Sequence, residues 1–460
     1  MFIHKRYDII VVGSGSGGQI VDFAMQHGFS VAWVDKGPLG GTCLNVGCIP
    51  SKMLIFPADR VVEIQESYKL GIDATVNSVD FQKIMRHMHE PIKESHEHMK
   101  KALNSPVDGF DYYDGVGKFV DDYTLVVNEK KIKGDKIFIG TGARPLIPPV
   151  KGLEEVDFLT NENVFDLKKR PESMIIIGGG YISVEFAHFF AAMGTSVTVL
   201  QRGNRLVKGF EPEISKLLFK KMSERMTVIT DFNVTEVNSN SDEILVKGIN
   251  KKDGKETVYS AEKILVATGR ISNSDLLNLK ATGVGLDDRG FIKVDEFLRT
   301  TKKNIWAFGD ANGKFMFKHV ANEEAIVAWR NAMGDDKNPM DYSAVPYAVF
   351  TYPQIAGVGL SLADAKKSTD VLVGIAKYSD VAKGDAMVEY DGFAKAIVDK
   401  NSHKILGFHI IGPYAPILIQ EVTNAMALGG DIGFIGQGMH IHPGLSELIL
   451  RTFANLSEED

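Results

Sequence analysis

The sequence predicts an α/β chain made of two dinucleotide-binding domains and a C-terminal α+β domain. Three observations carry that reading: a glycine fingerprint at 13–18, a second at 178–183, and a strand-rich texture that begins near Pro339. At 460 residues the chain exceeds what one hydrophobic core supports, so several domains are expected. An apolar fraction of 44% and a charged fraction of 24% are those of an ordinary globular protein and exclude a disordered one.

The elements follow in order. Residues 8–12, Asp-Ile-Ile-Val-Val, read as a buried strand. Gly13-Ser14-Gly15-Ser16-Gly17-Gly18 opens a helix that runs to Gln26, and 30–35 is the next strand. Gly13, Gly15 and Gly18 fit G-x-G-x-x-G, in which glycines allow the tight turn and let a pyrophosphate approach the helix N-terminus. Asp35 ends the second strand 22 residues after Gly13, where a carboxylate can accept hydrogen bonds from ribose hydroxyls. Strand, turn, helix, strand and acid together make a Rossmann-like unit. The pattern returns at 174–183, Met-Ile-Ile-Ile-Gly-Gly-Gly-Tyr-Ile-Ser, with Gly178 and Gly180 in the fingerprint and Ser183 at the third glycine position. Serine is small enough for the helix to pack on its strand. A helix to Met193 and a strand at 196–200 complete this second unit. Two shorter echoes, Ile137 to Gly142 and Ile264 to Gly269, read as apolar strands that meet a glycine turn and close one nucleotide sheet each. Beyond Pro339, alternating strands at 395–399 and 405–412 precede apolar helices at 415–428 and 446–456.

The chain has only two cysteines, Cys43 and Cys48, separated by four residues in Gly-Gly-Thr-Cys-Leu-Asn-Val-Gly-Cys-Ile-Pro-Ser-Lys. So small a ring adds little to folding stability, which favours a redox pair over a staple. Spacing alone also leaves open two inert buried thiols. A metal site is disfavoured, because two thiolates half-fill a tetrahedral shell and no histidine is near. Four histidines do cluster at 87, 89, 96 and 98, but the segment Phe81–Leu103 reads as an amphipathic helix, on which positions two apart diverge. No metal is expected. A net charge of −7 gives no support to nucleic acid or an anionic membrane as partner. No apolar run reaches the roughly 20 residues of a membrane span, and the N-terminus has no secretory core, so a cytoplasmic protein is expected. A dithiol in that reducing compartment is more often catalytic than structural.

The segment from Cys43 to Lys52, the two fingerprints in order, Asn304 to Asp310 and His440-Ile441-His442-Pro443-Gly444-Leu445-Ser446-Glu447 share a wider pattern. With them the chain resembles the flavin-dependent pyridine nucleotide-disulfide oxidoreductases, most nearly the dihydrolipoamide dehydrogenase group with its mycothione, glutathione and mercuric reductase relatives. The resemblance implies an FAD-binding domain at 1–148 that resumes at 270–338, an NAD(P)-binding domain at 149–269, and a dimerisation domain at 339–460. FAD would lie on Gly13, Gly15 and Gly18, with Thr42, Thr141, Gly142 and Gly309 lining its site, Asp35 on the adenosine ribose and Asp310 on the ribityl chain. A nicotinamide dinucleotide would lie on Gly178, Gly180 and Gly269, with Tyr181 as a movable gate.

The same resemblance makes Cys48 the thiol that faces the flavin and Cys43 the one that exchanges with substrate. Lys52, one helical turn beyond Cys48, would pair with Glu185 near the flavin. His442, oriented by Glu447, would be the acid-base group, contributed across a homodimer interface; His440 is expected to be structural. Dihydrolipoamide dehydrogenases use NAD and place a glutamate where Gln201 stands. Gln201 lacks the charge that repels a 2′-phosphate, while Arg202 and Lys208 fall where NADPH-linked relatives carry cations. The expected activity therefore passes electrons between NAD(P)H, flavin, the cysteine pair and a small dithiol or disulfide. It is either dihydrolipoamide dehydrogenase-like, with a lipoyl-bearing protein as partner, or NADPH-dependent reduction of a low-molecular-weight disulfide. The tail from Leu456 lacks the cysteine pair of mercuric reductase, which disfavours that activity. A flavin NADH oxidase or peroxidase would need one working cysteine, and a non-enzymatic redox flavoprotein would not need His442 and Glu447.

Overall fold

A computed structural model describes residues 5–240, 243–334 and 338–458. The chain divides into two compact units, the first from 1–50, 86–146 and 269–341, the second from 51–85, 147–268 and 342–460.

In the first unit, β1 (Lys5–Val12) is central to a seven-stranded sheet. It pairs in parallel with β2 (Val31–Asp35) on one side and β6 (Lys130–Ile139) on the other, and β3 (Phe110–Asp114) lies beyond β2. β4 (Lys118–Asp121) and β5 (Thr124–Val127) extend the sheet antiparallel from β6, and the strand Ile305–Ala307 pairs with the far end of β6. Ile9, Ile10 and Val11 are fully buried, as expected of a parallel strand covered on both faces. β6, the strand of the first short echo, thus lies beside β1 in the middle of the sheet rather than closing its edge. The helix of the fingerprint is α1 (Gly17–Gln26). The cysteine segment forms α2 (Gly41–Asn45) and the start of α3 (Cys48–Glu66), while α4 (Phe81–Leu103) coincides with the amphipathic segment read from the sequence.

The second unit contains a five-stranded parallel sheet in which Ser173–Ile177 is flanked by Ser196–Leu200 and Lys263–Val266, so the second echo is also a central strand. Its fingerprint helix is α5 (Tyr181–Ala192). A six-stranded antiparallel sheet spans Pro346–Val349 to Ser457–Glu458, and the helices Ala415–Ala427 and Glu447–Ala454 cover it through Leu418, Ile419, Val422, Leu448 and Ile449. The segment 51–85, expected with the first domain, groups with this unit. The physical reason is α5: Asp59 Oδ1 lies 2.8 Å from the buried His188 Nε2, and Phe81 packs on Phe189.

One buried ion pair ties the parallel and antiparallel sheets of the second unit. Glu211 stands at the N-cap position of α6 (Pro212–Ser223), and its Oε2 accepts from Lys395 Nζ at 2.6 Å. Both side chains are at most 2% exposed. Glu211 Oε1 accepts the Leu362 N–H at 2.9 Å, and Lys395 also reaches Glu213 at 3.1 Å. Removing one partner strands a buried charge. Lys395→Ala is expected to cost ~3–5 kcal/mol in urea denaturation, whereas the double change Lys395→Met with Glu211→Leu recovers most of that loss. A double variant as unstable as the single one would show that the ion pair is not the source.

Candidate active site

The first fingerprint is built by close backbone approach. Gly13 adopts φ +106°, and a Cβ there would lie 2.2 Å from the Gly140 carbonyl oxygen. Gly13 N–H bonds Val34 O and Gly140 N–H bonds Val12 O, so both loops leave the sheet together. A Cβ on Gly15 would meet nothing within 4 Å, whereas one on Gly18 would touch Trp33. The unfilled space above Gly15 lies at the start of α1, whose first N–H groups have no intrahelical partner. The Asp35 carboxylate accepts the N–H groups of Ser14 and Gly37, which fixes its orientation at the end of β2. Thr141 Oγ1 is buried and without a hydrogen-bond partner among the described residues, as is Gln19 Oε1. Gly142, at φ +67°, presents its carbonyl to the Asn273 N–H. An open glycine turn at a helix N-terminus, an acid at the strand end and an orphaned hydroxyl fit a dinucleotide such as FAD.

Asp310 follows Gly309, whose N–H donates to Glu324 Oε2 at 2.6 Å. Glu324 is fully buried and also accepts from Asn312, so it fixes the loop that carries Asp310. Burial pushes the Asp310 carboxyl up, and Arg270, with Nε 3.5 Å away, offsets this only in part. Sequence reasoning missed Glu324, which looks like any helical glutamate.

The cysteine segment packs on the fingerprint loop. A Cβ on Gly41 would come within 2.8 Å of Gly15 Cα, and Gly40 N–H donates to Ser14 Oγ at 3.0 Å. Thr42 and Cys43 lie in α2, and Cys48 begins α3. Gly47 lets the two helices close, since a Cβ there would stand 2.7 Å from the Thr42 carbonyl oxygen. Asn45 holds the loop before them, donating from Nδ2 to the carbonyls of Leu39 at 2.9 Å and Gly41 at 2.8 Å. His96 Nε2 in turn donates to Asn45 Oδ1. The histidine run thus contributes a hydrogen bond to this loop, and no group of three or more metal-ligating side chains occurs among the described residues.

Cys43 and Cys48 are in the dithiol state. The Cys43 thiol is lowered to about 7, first by its hydrogen bond with Cys48, then by the Lys318 ammonium and the backbone N–H groups of Cys48 and Ile49, against an opposing effect of burial. A thiol in that range is substantially thiolate at neutral pH, the form that attacks disulfides.

In the second unit Lys52 Nζ donates to Glu185 Oε2 at 2.6 Å and lies 4.7 Å from the centre of the Phe350 ring. The other oxygen of Glu185 accepts the Phe350 N–H at 2.9 Å, so the buried carboxylate is held on both sides. The second fingerprint repeats the first: Gly178 adopts φ +124° with its missing Cβ 2.3 Å from the Ala267 oxygen, and Gly180 faces open space. Ser183 is fully buried. Tyr181 begins α5 and is 37% exposed, so it is not a core aromatic. Gln201 folds back to donate to the Arg205 carbonyl at 3.1 Å, which ties its amide to its own loop. Arg202 and Lys208 are exposed and form no ion pair among the described residues. Gly269 groups with the first unit instead, its carbonyl accepting the Leu146 N–H.

His442 and Glu447 also meet. Nδ1 lies 2.9 Å from Glu447 Oε1, and Gly444 N–H donates to Oε2. These two bonds hold the Glu447 carboxyl below its usual range, the Gly444 N–H foremost. The His442 side chain is 72% exposed in the single chain, and the preceding Met439 and Ile441 are exposed as well. His440 bonds Glu421 at 2.8 Å and is nearly buried, in keeping with a structural role.

The family model for pyridine nucleotide-disulphide oxidoreductases matches residues 7–325, and that for the dimerisation domain of the same family matches 345–452. The chain belongs to the pyridine nucleotide-disulphide oxidoreductase family. It is similar to a mycothione reductase of Mycobacterium tuberculosis, at 35% identity over 97% of this chain and 98% of that protein. A dihydrolipoyl dehydrogenase of Chlamydia trachomatis is 32% identical over 97% and 96% of the two chains. The solved structure of the HOCl-induced flavoprotein disulfide reductase RclA from Escherichia coli superposes with a TM-score of 0.85 at 26% identity, covering 97% of this chain and 99% of that one. The protein is thus an FAD-dependent pyridine nucleotide-disulfide oxidoreductase of a family that uses FAD and NAD(P)H, and its C-terminal domain supports a homodimer. No helix among the described residues is long and apolar enough to cross a membrane.

The lowered Cys43 thiol gives a direct expectation. In reduced protein, the rate of Cys43 alkylation by iodoacetamide should rise through a midpoint at about pH 7 and level off above it, because the thiolate is the reacting form. A midpoint near 9, the ordinary thiol value, would show that these neighbours do not act on it.

Proposed function

We propose that this chain is an NADPH-linked reductase of a low-molecular-weight disulfide, with Cys43 and Cys48 as its redox pair. The observation that carries the redox pair is the Cys43 thiol, lowered to about 7 in α2, whose first residue packs against the first fingerprint. FAD would belong to the domain at 1–148 and 270–338, from which 51–85 departs to pack with the second unit, the nicotinamide dinucleotide to 149–269, and dimerisation to the part from 339. Gly13, Gly15, Gly18, Asp35, Thr42, Thr141, Gly142, Gly309 and Asp310 would hold FAD, which when bound supplies the relay between hydride transfer and thiol chemistry. Gly178, Gly180 and Tyr181 would take the nicotinamide dinucleotide. Arg202 and Lys208, exposed and without carboxylate partners among the described residues, are available to a 2′-phosphate, and Gln201 itself carries no charge that repels one.

The substrate half-reaction follows from the thiols. The Cys43 thiolate attacks one sulfur of the disulfide, forming a mixed disulfide and expelling the first thiolate. Protonated His442 gives that thiolate its proton, and Glu447 on Nδ1 fixes the tautomer and supports the charged ring. The Cys48 thiolate then attacks Cys43 Sγ, which closes the Cys43–Cys48 disulfide and releases the second thiolate. The pair of electrons passed to substrate is that of the dithiol, so the sulfur and electron count closes. Lys52 would be the cation that serves the flavin half-reaction, its ammonium fixed by the Glu185 carboxylate. Exposure of His442 with Met439 and Ile441 at one surface supports its delivery to the active site of a second subunit.

The mycothione reductase relative supports a small thiol disulfide as substrate. The dihydrolipoyl dehydrogenase relatives support a second reading, NAD-linked oxidation of dihydrolipoamide, with a lipoyl-bearing protein as partner. Steady-state rates decide between them: kcat/KM should be higher with NADPH than NADH, and higher with a small thiol disulfide than with lipoamide. Arg202→Ala with Lys208→Ala should cost about tenfold or more in kcat/KM for NADPH and little for NADH. Equal use of both cofactors by the unaltered protein would overturn the NADPH assignment. His442→Ala should lower disulfide turnover by roughly 10²–10⁴ while NADPH oxidation by an artificial electron acceptor continues. Loss of both activities would remove His442 from the substrate half-reaction.

A further inference from the structure

Lys318 is the first residue of α7 (Lys318–Met333), the end of a helix at which a cation is electrostatically disfavoured. No acidic residue in the first turn compensates it. Its ammonium nevertheless turns inward and donates to Ser16 Oγ at 2.9 Å. Ser16 lies in the first fingerprint, is 6% exposed, and passes its own O–H to Asn322 Oδ1, also at 2.9 Å. The lysine is therefore pinned on the glycine loop against which Gly41, and with it the helix of Cys43, is packed.

The groups facing this ammonium are few. Cys43 comes from α2, Cys48 from α3 and Ser16 from the fingerprint; the N–H groups of Cys48 and Ile49 act on the Cys43 thiol, and Asn322 of α7 holds Ser16. The next cation on α3 is Lys52, already paired with Glu185. Among the described residues Lys318 forms no ion pair with a carboxylate, and the anionic partners that act on it are the two thiols. Burial lowers its proton affinity and the thiols restore part of it. The coupling is reciprocal, as Cys43 is in turn held down by Lys318.

We propose that Lys318, pinned on Ser16, is the counter-charge of the thiolate formed at Cys43 and Cys48. It is a positioning residue that serves the dithiol rather than the helix it begins. The inference rests on the reading of Cys43 and Cys48 as the redox pair and adds a residue to that site.

The test uses the full-length FAD-loaded protein in its reduced form, unaltered and as K318Q, K318M and K318R. The readout is the pH profile of Cys43 alkylation by iodoacetamide, followed by mass spectrometry, alongside FAD content and thermal unfolding. K318Q and K318M should raise the midpoint by about one pH unit, slowing alkylation severalfold at pH 7, and K318R should stay near the unaltered profile. Melting should be unchanged or higher, because a cation has been removed from a helix N-terminus. Superimposable profiles for all four proteins would overturn the proposal. So would release of FAD from K318Q and K318M with an unchanged midpoint, which would assign the ammonium to the FAD pyrophosphate. The underlying reading is checked separately in the unaltered protein, where diamide should close a Cys43–Cys48 disulfide. If that disulfide fails to form, the redox pair itself is wrong, whatever the Lys318 variants do.

Discussion

A thiol must lose its proton before it can attack a disulfide, and near neutral pH that requires a concentrated supply of positive charge and hydrogen-bond donors. Around Cys43 the supply comes from three independent sources: the neighbouring thiol of Cys48, the first N–H groups of α3, and the ammonium of Lys318. Burial works against all three. The local architecture is arranged so that they converge, and the segment before Cys48 is short because the N-terminus of α3 must reach back to Cys43. Glycine at 47 permits this, since any side chain would strike the Thr42 carbonyl.

The same constraint links thiol chemistry to nucleotide binding. Gly41 rests against Gly15, so the loop that leaves space for a dinucleotide is also the floor on which the dithiol stands. Asn45 and His96 clamp the strip between them. A shift of either loop would disturb both, because Gly41 and Gly15 meet backbone to backbone.

Much of this was legible in the sequence because it depends on local pattern. The fingerprints, Asp35 and the two cysteines occupy fixed offsets from strand ends, and period and spacing reveal them. Lys52 with Glu185 and His442 with Glu447 became legible through family resemblance, and the structure brings each pair within hydrogen-bond distance. Lys318, Glu324 and His96 were not. Lys318 and His96 act on residues that the fold brings near from a distant part of the chain, Glu324 on the loop just before its own helix, and nothing in the immediate neighbours of any of them distinguishes it from a solvated helical side chain. Gln201 was legible as a missing carboxylate, but its hydrogen bond to the Arg205 carbonyl depends on the turn that follows. The grouping of 51–85 with the second unit was equally hidden, because it follows from the side chains that α3 and α4 present to α5.

The buried pair of Glu211 and Lys395 has a consequence for how such proteins can be recombined. The C-terminal sheet is matched by its own family model and looks like a detachable module, yet its strand carries a lysine whose counter-ion belongs to the cap of α6. A chimera that takes its C-terminal third from a relative inherits one half of a matched lock. Exchange is neutral only when positions 211 and 395 travel together, so the natural cut for a graft lies upstream of residue 211.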